Sequence, residues 1–250
     1  MFKPRTKSRR RDQIGWSKVM TAKEQQRFWS YLYGRTPSVV TGGFIELGST
    51  GTKRIQLISD LLFRTGMRET ELAQMRVCDT PMVLGTNVIE VYRGKNNKDR
   101  TIQVGQQLAD ELSGYIAGVR PGTMPRHIRR SDITKPVFYS QSRRPYLKKI
   151  QVVHRKTGEI VSRLRTSASL YRKFRSIGEH AGIGKRVFPH MMRHTFAVNA
   201  LLNGVDIYLL QQLMGHSDIT ITARYLHIVN AQLQGLGEKL YRSFRGGLES

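Results

Sequence analysis

Cysteine is almost missing from the chain: Cys78 is the only one in 250 residues. That excludes an internal disulfide framework and a cysteine-rich zinc site. Acidic residues are also scarce, 18 against 42 lysines and arginines, for a net charge of +24. A surplus this large builds a positive field that a polyanion can exploit, so nucleic acid is the leading partner class. A ribosome-type scaffold protein is the blander alternative. No apolar run approaches the roughly 20 residues of a membrane span, and there is no signal peptide. A membrane partner is therefore not expected, and the expected compartment is cytoplasmic. What remains is 39% hydrophobic and 24% charged, the balance of a globular chain with a real core.

Residues 1–11, "MFKPRTKSRRR", hold six basic residues and no acidic one. They read as an arm for a phosphate backbone. A short helix is predicted from Thr21, with Phe28, Trp29 and Leu32 on one side. "TPSVVTGGFIELGSTGT" reads as a loop with a short strand. Ile55, Ile58, Leu61 and Leu62 recur at helical spacing; that helix should end at Gly66 and another begin near Glu69. "NVIEVYRGKNNKDRTIQV" alternates, turns and returns, the clearest β-hairpin in the chain. "QQLADELSGYIAGV" is helical and "PVFYS" a short strand. "IQVVHRKTGEIVSRL" reads as a second, heavily basic hairpin turning at Thr157-Gly158. A helix through Tyr171, Phe174 and Ile177 should be capped by Ser167 or Ser169. From Pro189 onward the chain reads as helical, broken at Gly204, near Gly215 and around Gly235. The expected class is α+β, mostly helical, with a small antiparallel sheet near the middle.

Against this background "FPHMMRHTFA" stands out. His190 and Arg193 are three apart, so on a helix they share a face, and His194 follows at once. Downstream, "LMGHSDITITARYLHI" carries His216 in a loop and Tyr225 nine residues later. Upstream, Arg68 sits at a break between helices and Lys95 in the tip of the first hairpin, with Lys98 on the same turn. Two arginines, two histidines, a lysine and a tyrosine suit attack on a phosphodiester without a metal. A pentavalent phosphate spreads negative charge that forked guanidiniums clamp well. Tyrosine, with an ordinary pKa of about 10, attacks only if a base or a positive field helps it ionise. The leaving 5′-oxygen needs a proton, which a lysine on a hairpin can deliver. Each residue alone has an ordinary reading: Tyr225 as core, Arg68 as a solvated arginine, His190 as a helix cap, His194 as a hydrogen-bonded core histidine.

The segments "TGMRETEL", "GKNNKDR", "HMMRHTFA", "LMGHSDITIT" and "RYLHI", in that order, closely resemble the tyrosine recombinase (phage integrase) family over roughly residues 54–245. The resemblance implies a clamp of Arg68 and Arg193 on the scissile phosphate, with Lys95 as general acid. His190 would assist proton removal, His216 would bind a non-bridging oxygen, and Tyr225 would form a 3′-phosphotyrosine. Glu71 matches the acidic residue that orients local groups. Neither ATP, metal nor other cofactor is implied. The partner would be double-stranded DNA, held by a homotetramer on paired sites that is a monomer when free, with accessory DNA-bending proteins as further partners. The terminal segment with Leu233, Leu236 and Leu240 would dock into a neighbouring protomer.

The family usually places about a hundred residues of helical DNA-binding domain before the first arginine. Residues 1–50 are therefore expected to provide a basic arm and a reduced helical region, and residues 51–250 the recombinase domain with its C-terminal exchange helix. The long basic hairpin over 148–165 is expected to replace some of the missing DNA contact. The expected activity is site-specific recombination, serving a mobile element or plasmid. Two alternatives stay open: the same chemistry in a type IB topoisomerase or hairpin resolvase, and a DNA-binding regulator that has lost catalysis.

Overall fold

The computed structural model describes residues 14–45, 50–92, 99–118, 132–153 and 158–231. The basic arm 1–11, Lys95 and Lys98, and Leu233, Leu236 and Leu240 lie outside them. The described part is mostly helical. Helix α1 (Ala22–Leu32) opens on a capping box, Thr21 accepting from the Glu24 amide while Glu24 accepts from Thr21, which satisfies two of the amides a helix start leaves open. Its Phe28 stacks on Phe174 of α6 (Ala168–His180). Helix α2 (Thr50–Thr65) buries Ile55, Ile58, Leu61 and Leu62, as its spacing requires, and packs against α7 (Pro189–Leu202). No described helix is long and apolar enough to cross a membrane.

The expected single sheet is two separate hairpins. Strands β1 (Val88–Val91) and β2 (Arg100–Gln103) pair antiparallel, Ile89 facing Ile102 on the buried side. Strands β3 (Leu147–Val153) and β4 (Ile160–Thr166) pair over seven residues, Leu147 with Thr166 through Val153 with Ile160. "PVFYS" forms no strand ladder: Pro136 and Tyr139 make isolated bridges to Arg76 and Pro145, because proline cannot donate to a ladder. The glycine-rich stretch before α2 has no strand among its described residues. The remaining helices are α3 (Glu69–Gln74), α4 (Pro81–Leu84), α5 (Gln106–Gly118), α8 (Ile207–Met214) and α9 (Ile219–Ala223). Ser167 is the residue that precedes α6, but its hydroxyl bonds Ser169 rather than a helix amide.

Two apolar cores result. The larger joins α1, α2, α5, α6 and the first hairpin. The smaller gathers Ile14, Val19, Ala197, Val198, Leu210, Met214, Tyr225 and Ile228, so the tyrosine is packed where α7, α8 and the chain beyond α9 meet. Between the cores, Gly66 ends α2 at φ +62°, and a β-carbon there would lie 2.3 Å from the Phe196 ring. Gly66→Ala combines a left-handed backbone with overpacking, and should cost about 2–4 kcal/mol, read as a lowered midpoint of urea unfolding. The Gly66 carbonyl belongs to the site described next.

Candidate active site

Arg68 stands at the break between α2 and α3, with its main chain fixed by Glu71, whose Oε2 accepts from the Arg68 amide at 2.7 Å. The same carboxylate takes the Arg68 guanidinium (2.6 Å) and a bidentate pair from Arg100 at the start of β2 (2.9 and 2.7 Å). Burial pushes the Glu71 carboxyl up, but the Arg100 and Arg68 hydrogen bonds and charges outweigh it and hold it down at about 2. Arg68 reaches across to the Gly215 carbonyl (2.8 Å) with its other nitrogen. Glu71 thus orients the arginine, as the resemblance implied. Arg100 is an addition that no spacing signal marked.

Arg193, on α7, is 1% exposed. It donates to the Gly66 carbonyl, to the Met214 carbonyl (2.6 Å) and to His216 Nε2 (2.9 Å). Gly66 and Met214 end α2 and α8, and a helix leaves its last carbonyls unpaired, so the guanidinium ties two helix termini together. Its burial and the nearby Arg68 charge lower its pKa to about 9, so it stays cationic at neutral pH. Arginine only donates; His216 therefore accepts at Nε2 and carries its proton on Nδ1, which lies 2.9 Å from the Thr222 hydroxyl. Desolvation, then the Arg193 and Arg68 charges, push His216 down to about 3.

His190 does not cap its own helix. Its Nδ1 lies 3.1 Å from Glu69 Oε2, and its side chain is 38% exposed. His194 faces inward, its ring edge-on to His190 at 4.5 Å between centroids, its Nδ1 2.9 Å from the Tyr225 hydroxyl. Desolvation, with the His190 and Arg193 charges, pushes His194 down to about 3. Tyr225 is 2% exposed. Burial raises its pKa to about 12, against the pull of the Arg193, Arg224 and Arg68 charges. The structure thus links Arg68 to the Gly215 carbonyl beside His216, links Arg193 to His216, and joins Tyr225 to α7 through His194. Lys95 lies outside the described residues. Glu69, Arg100, His194 and Thr222 are site residues the sequence reading did not assign. Of these, His194 alone had a visible signal, its place beside Arg193.

Both low-pKa histidines are neutral in the folded protein, whereas an unfolded histidine protonates near about 6.5. Between those values the unfolded chain binds more protons, so stability falls as pH drops from about 6.5 toward 3. Below 4.5 Glu71, ordinary in the unfolded chain and held down at about 2 when folded, adds to the loss. Buried His194 should contribute up to about 1.4 kcal/mol per pH unit, and His216, better solvated, less. Urea unfolding at pH 7, 6 and 5 should show this slope, and His194→Gln should remove the larger share of it.

Chains of known structure share the fold. The crystal structure of XerA recombinase matches with TM-score 0.60 at 24% identity, over 88% of this chain and 64% of that one. XerH site-specific recombinase, bound to its difH substrate in a post-cleavage complex, matches with TM-score 0.60 at 20% identity, over 88% and 52%. The family model of the phage integrase family matches residues 44–232, and the chain belongs to that family. Tyrosine recombinase XerD of Staphylococcus haemolyticus is 30% identical over 199 residues, 80% of this chain and 57% of that protein; the chain spans somewhat over half the length of such relatives.

Proposed function

We propose that the protein is a site-specific DNA recombinase that cuts and rejoins strands through a 3′-phosphotyrosine on Tyr225. The observation that carries the reading is the convergence of Arg68, Arg193 and His216 in one hydrogen-bonded group, with the Tyr225 hydroxyl bonded to His194, the residue after Arg193 on α7. Two fixed guanidiniums suit the equatorial oxygens of a phosphorane, where preorganised charge contributes most. Arg68 and Arg193 clamp the scissile phosphate, His190 takes the tyrosine proton, and His216, which accepts from Arg193 in the free protein, binds a non-bridging oxygen once its Nε2 carries a proton. Lys95 protonates the leaving 5′-oxygen. The phosphotyrosine conserves the energy of the broken bond, so rejoining needs no nucleotide. The net charge of +24 and the basic residues Lys148, Lys149 and Arg165 of the second hairpin supply affinity for the backbone. Relatives point the same way: XerH is described bound to difH, and the Tn1549 transposon integrase bound to circular-intermediate DNA. Assembly is as a tetramer on paired sites.

The test is a duplex carrying the cognate site with a nick just beyond the scissile phosphate, so that the released fragment diffuses away. A covalent protein–DNA adduct is the expected product. Strand exchange between two such sites, rather than relaxation of a supercoiled plasmid alone, separates recombination from topoisomerase action. A protein that binds the site and forms no adduct is a regulator, and the proposal fails.

A further inference from the structure

Glu69 immediately follows Arg68, and its side chain, 16% exposed, turns inward rather than to solvent. One carboxylate oxygen meets His190 Nδ1 at 3.1 Å and the other accepts from the Tyr171 hydroxyl of α6, also at 3.1 Å. Burial pushes this carboxyl up, but the His190 hydrogen bond and charge, with the Tyr171 hydroxyl, bring it below the ordinary carboxylate value. It is ionised at neutral pH and can only accept. A neutral His190 must therefore carry its proton on Nδ1, which leaves the Nε2 lone pair on a half-exposed ring to accept a proton.

Two imidazoles lie in line with the tyrosine, and they are not equivalent. His194 touches the hydroxyl but sits in a desolvated pocket beside a cationic arginine, with no carboxylate bonded to it among the described residues. A proton placed there would be a buried, uncompensated charge. His190, one ring further out, has a carboxylate directly behind it. The two histidines divide the work: His194 holds the resting hydroxyl, and His190 receives the proton when the tyrosine moves onto the phosphate.

We propose that Glu69 is a positioning residue for His190, fixing the tautomer that presents Nε2 to the tyrosine and neutralising the imidazolium formed during attack. The inference rests on the recombinase reading for its chemistry. In the step, the Tyr225 O–H bond breaks and an N–H bond forms at His190 Nε2. The phenolate oxygen bonds phosphorus, and the P–O5′ bond breaks with the 5′-oxygen taking a proton from the general acid. Rejoining reverses each transfer. Glu69 changes no bond.

The experiment compares wild type, Glu69→Gln, Glu69→Ala and Tyr171→Phe in single-turnover cleavage of the nicked duplex at saturating protein. Binding affinity and thermal unfolding are measured alongside, and 15N-histidine spectra of the free proteins at neutral pH report the tautomer. Glutamine keeps an acceptor oxygen but no charge, and should slow cleavage about 10- to 100-fold, by analogy with losing the partner behind a metal-ligating histidine. Binding should be unchanged. Alanine should slow it further and shift His190 from the Nδ1–H form toward Nε2–H. Tyr171→Phe, which keeps the carboxylate, should cost only a few-fold. Glu69→Gln cleaving at the wild-type rate, or losing binding and cleavage in equal measure, overturns the proposal. So does a wild-type His190 found as the Nε2–H tautomer, a measurement that needs no variant to fold. If wild type forms no adduct, the recombinase reading fails instead, and the tautomer alone judges the pairing of Glu69 with His190.

Discussion

Tyr225→Phe should bind the site with wild-type affinity and form no covalent adduct at all. The substitution removes one oxygen and leaves a ring of the same shape in the smaller core, among Ala197, Val198, Leu210 and Ile228. Its structural cost is the contact with His194 Nδ1, a hydrogen bond worth about 1 kcal/mol. The functional cost is total, because no other group in the proposed mechanism supplies the attacking oxygen. On the proposed mechanism the environment also predicts an inert free protein. Burial holds the phenol at about 12, so at neutral pH the hydroxyl is protonated, shielded from water and bonded to a histidine that cannot take its proton. On the proposed mechanism, attack would bring the ring out of this site to a phosphate already held by cations, where phenolate becomes accessible. Gel separation of the denatured reaction reads the result directly: an adduct formed by Tyr225→Phe would remove Tyr225 from the mechanism, while loss of binding would make its ring a structural element first.

The sequence showed what periodicity and local chemistry record. Helix α2 was legible because Ile55, Ile58, Leu61 and Leu62 repeat at helical spacing, and they are buried as that spacing requires. The first hairpin was legible from its alternation. Arg68, Lys95, His190, Arg193, His216 and Tyr225 stood out in the sequence as an ordered set, and all but Lys95 fall among the described residues. What was not legible depends on contacts distant in sequence. Arg100 looks like one more basic residue leaving a turn, and only folding brings it 29 positions back to Glu71. Glu69 reads as an ordinary acid at a helix start; its bond to His190 spans 121 positions. His194 was expected to hydrogen-bond within the core, and does so, but that its partner would be Tyr225 follows only from the way α7 meets the chain beyond α9. The separation into two hairpins is of the same kind: alternation marks strands, but not which strands share a sheet.

Arg193→Ala should lower the cleavage rate by about 10²- to 10³-fold, the range seen when one preorganised donor to a transition state is lost. Here the loss has two origins that the experiment must separate. Arg193 is a buried strut, holding the Gly66 and Met214 carbonyls and His216 Nε2 at once. Removing it leaves two helix-end carbonyls without this donor and lets His216 choose its tautomer anew, a destabilisation of about 3–5 kcal/mol by analogy with a broken buried pair. Arg193→Lys keeps the charge but not the fork: one ammonium cannot span two carbonyls and an imidazole while also facing a phosphate. It should therefore recover part of the stability and little of the rate. Arg68→Ala is the complementary variant, because Arg68 is less buried and Arg100 remains to hold Glu71, so its rate loss should come with a smaller loss of stability. All three are compared below their unfolding transitions, at protein concentrations that saturate the site. If folded Arg193→Ala or Arg193→Lys cleaves at nearly the wild-type rate, the guanidinium is a strut alone, and the phosphate must be held by Arg68, His216 and the first hairpin without it.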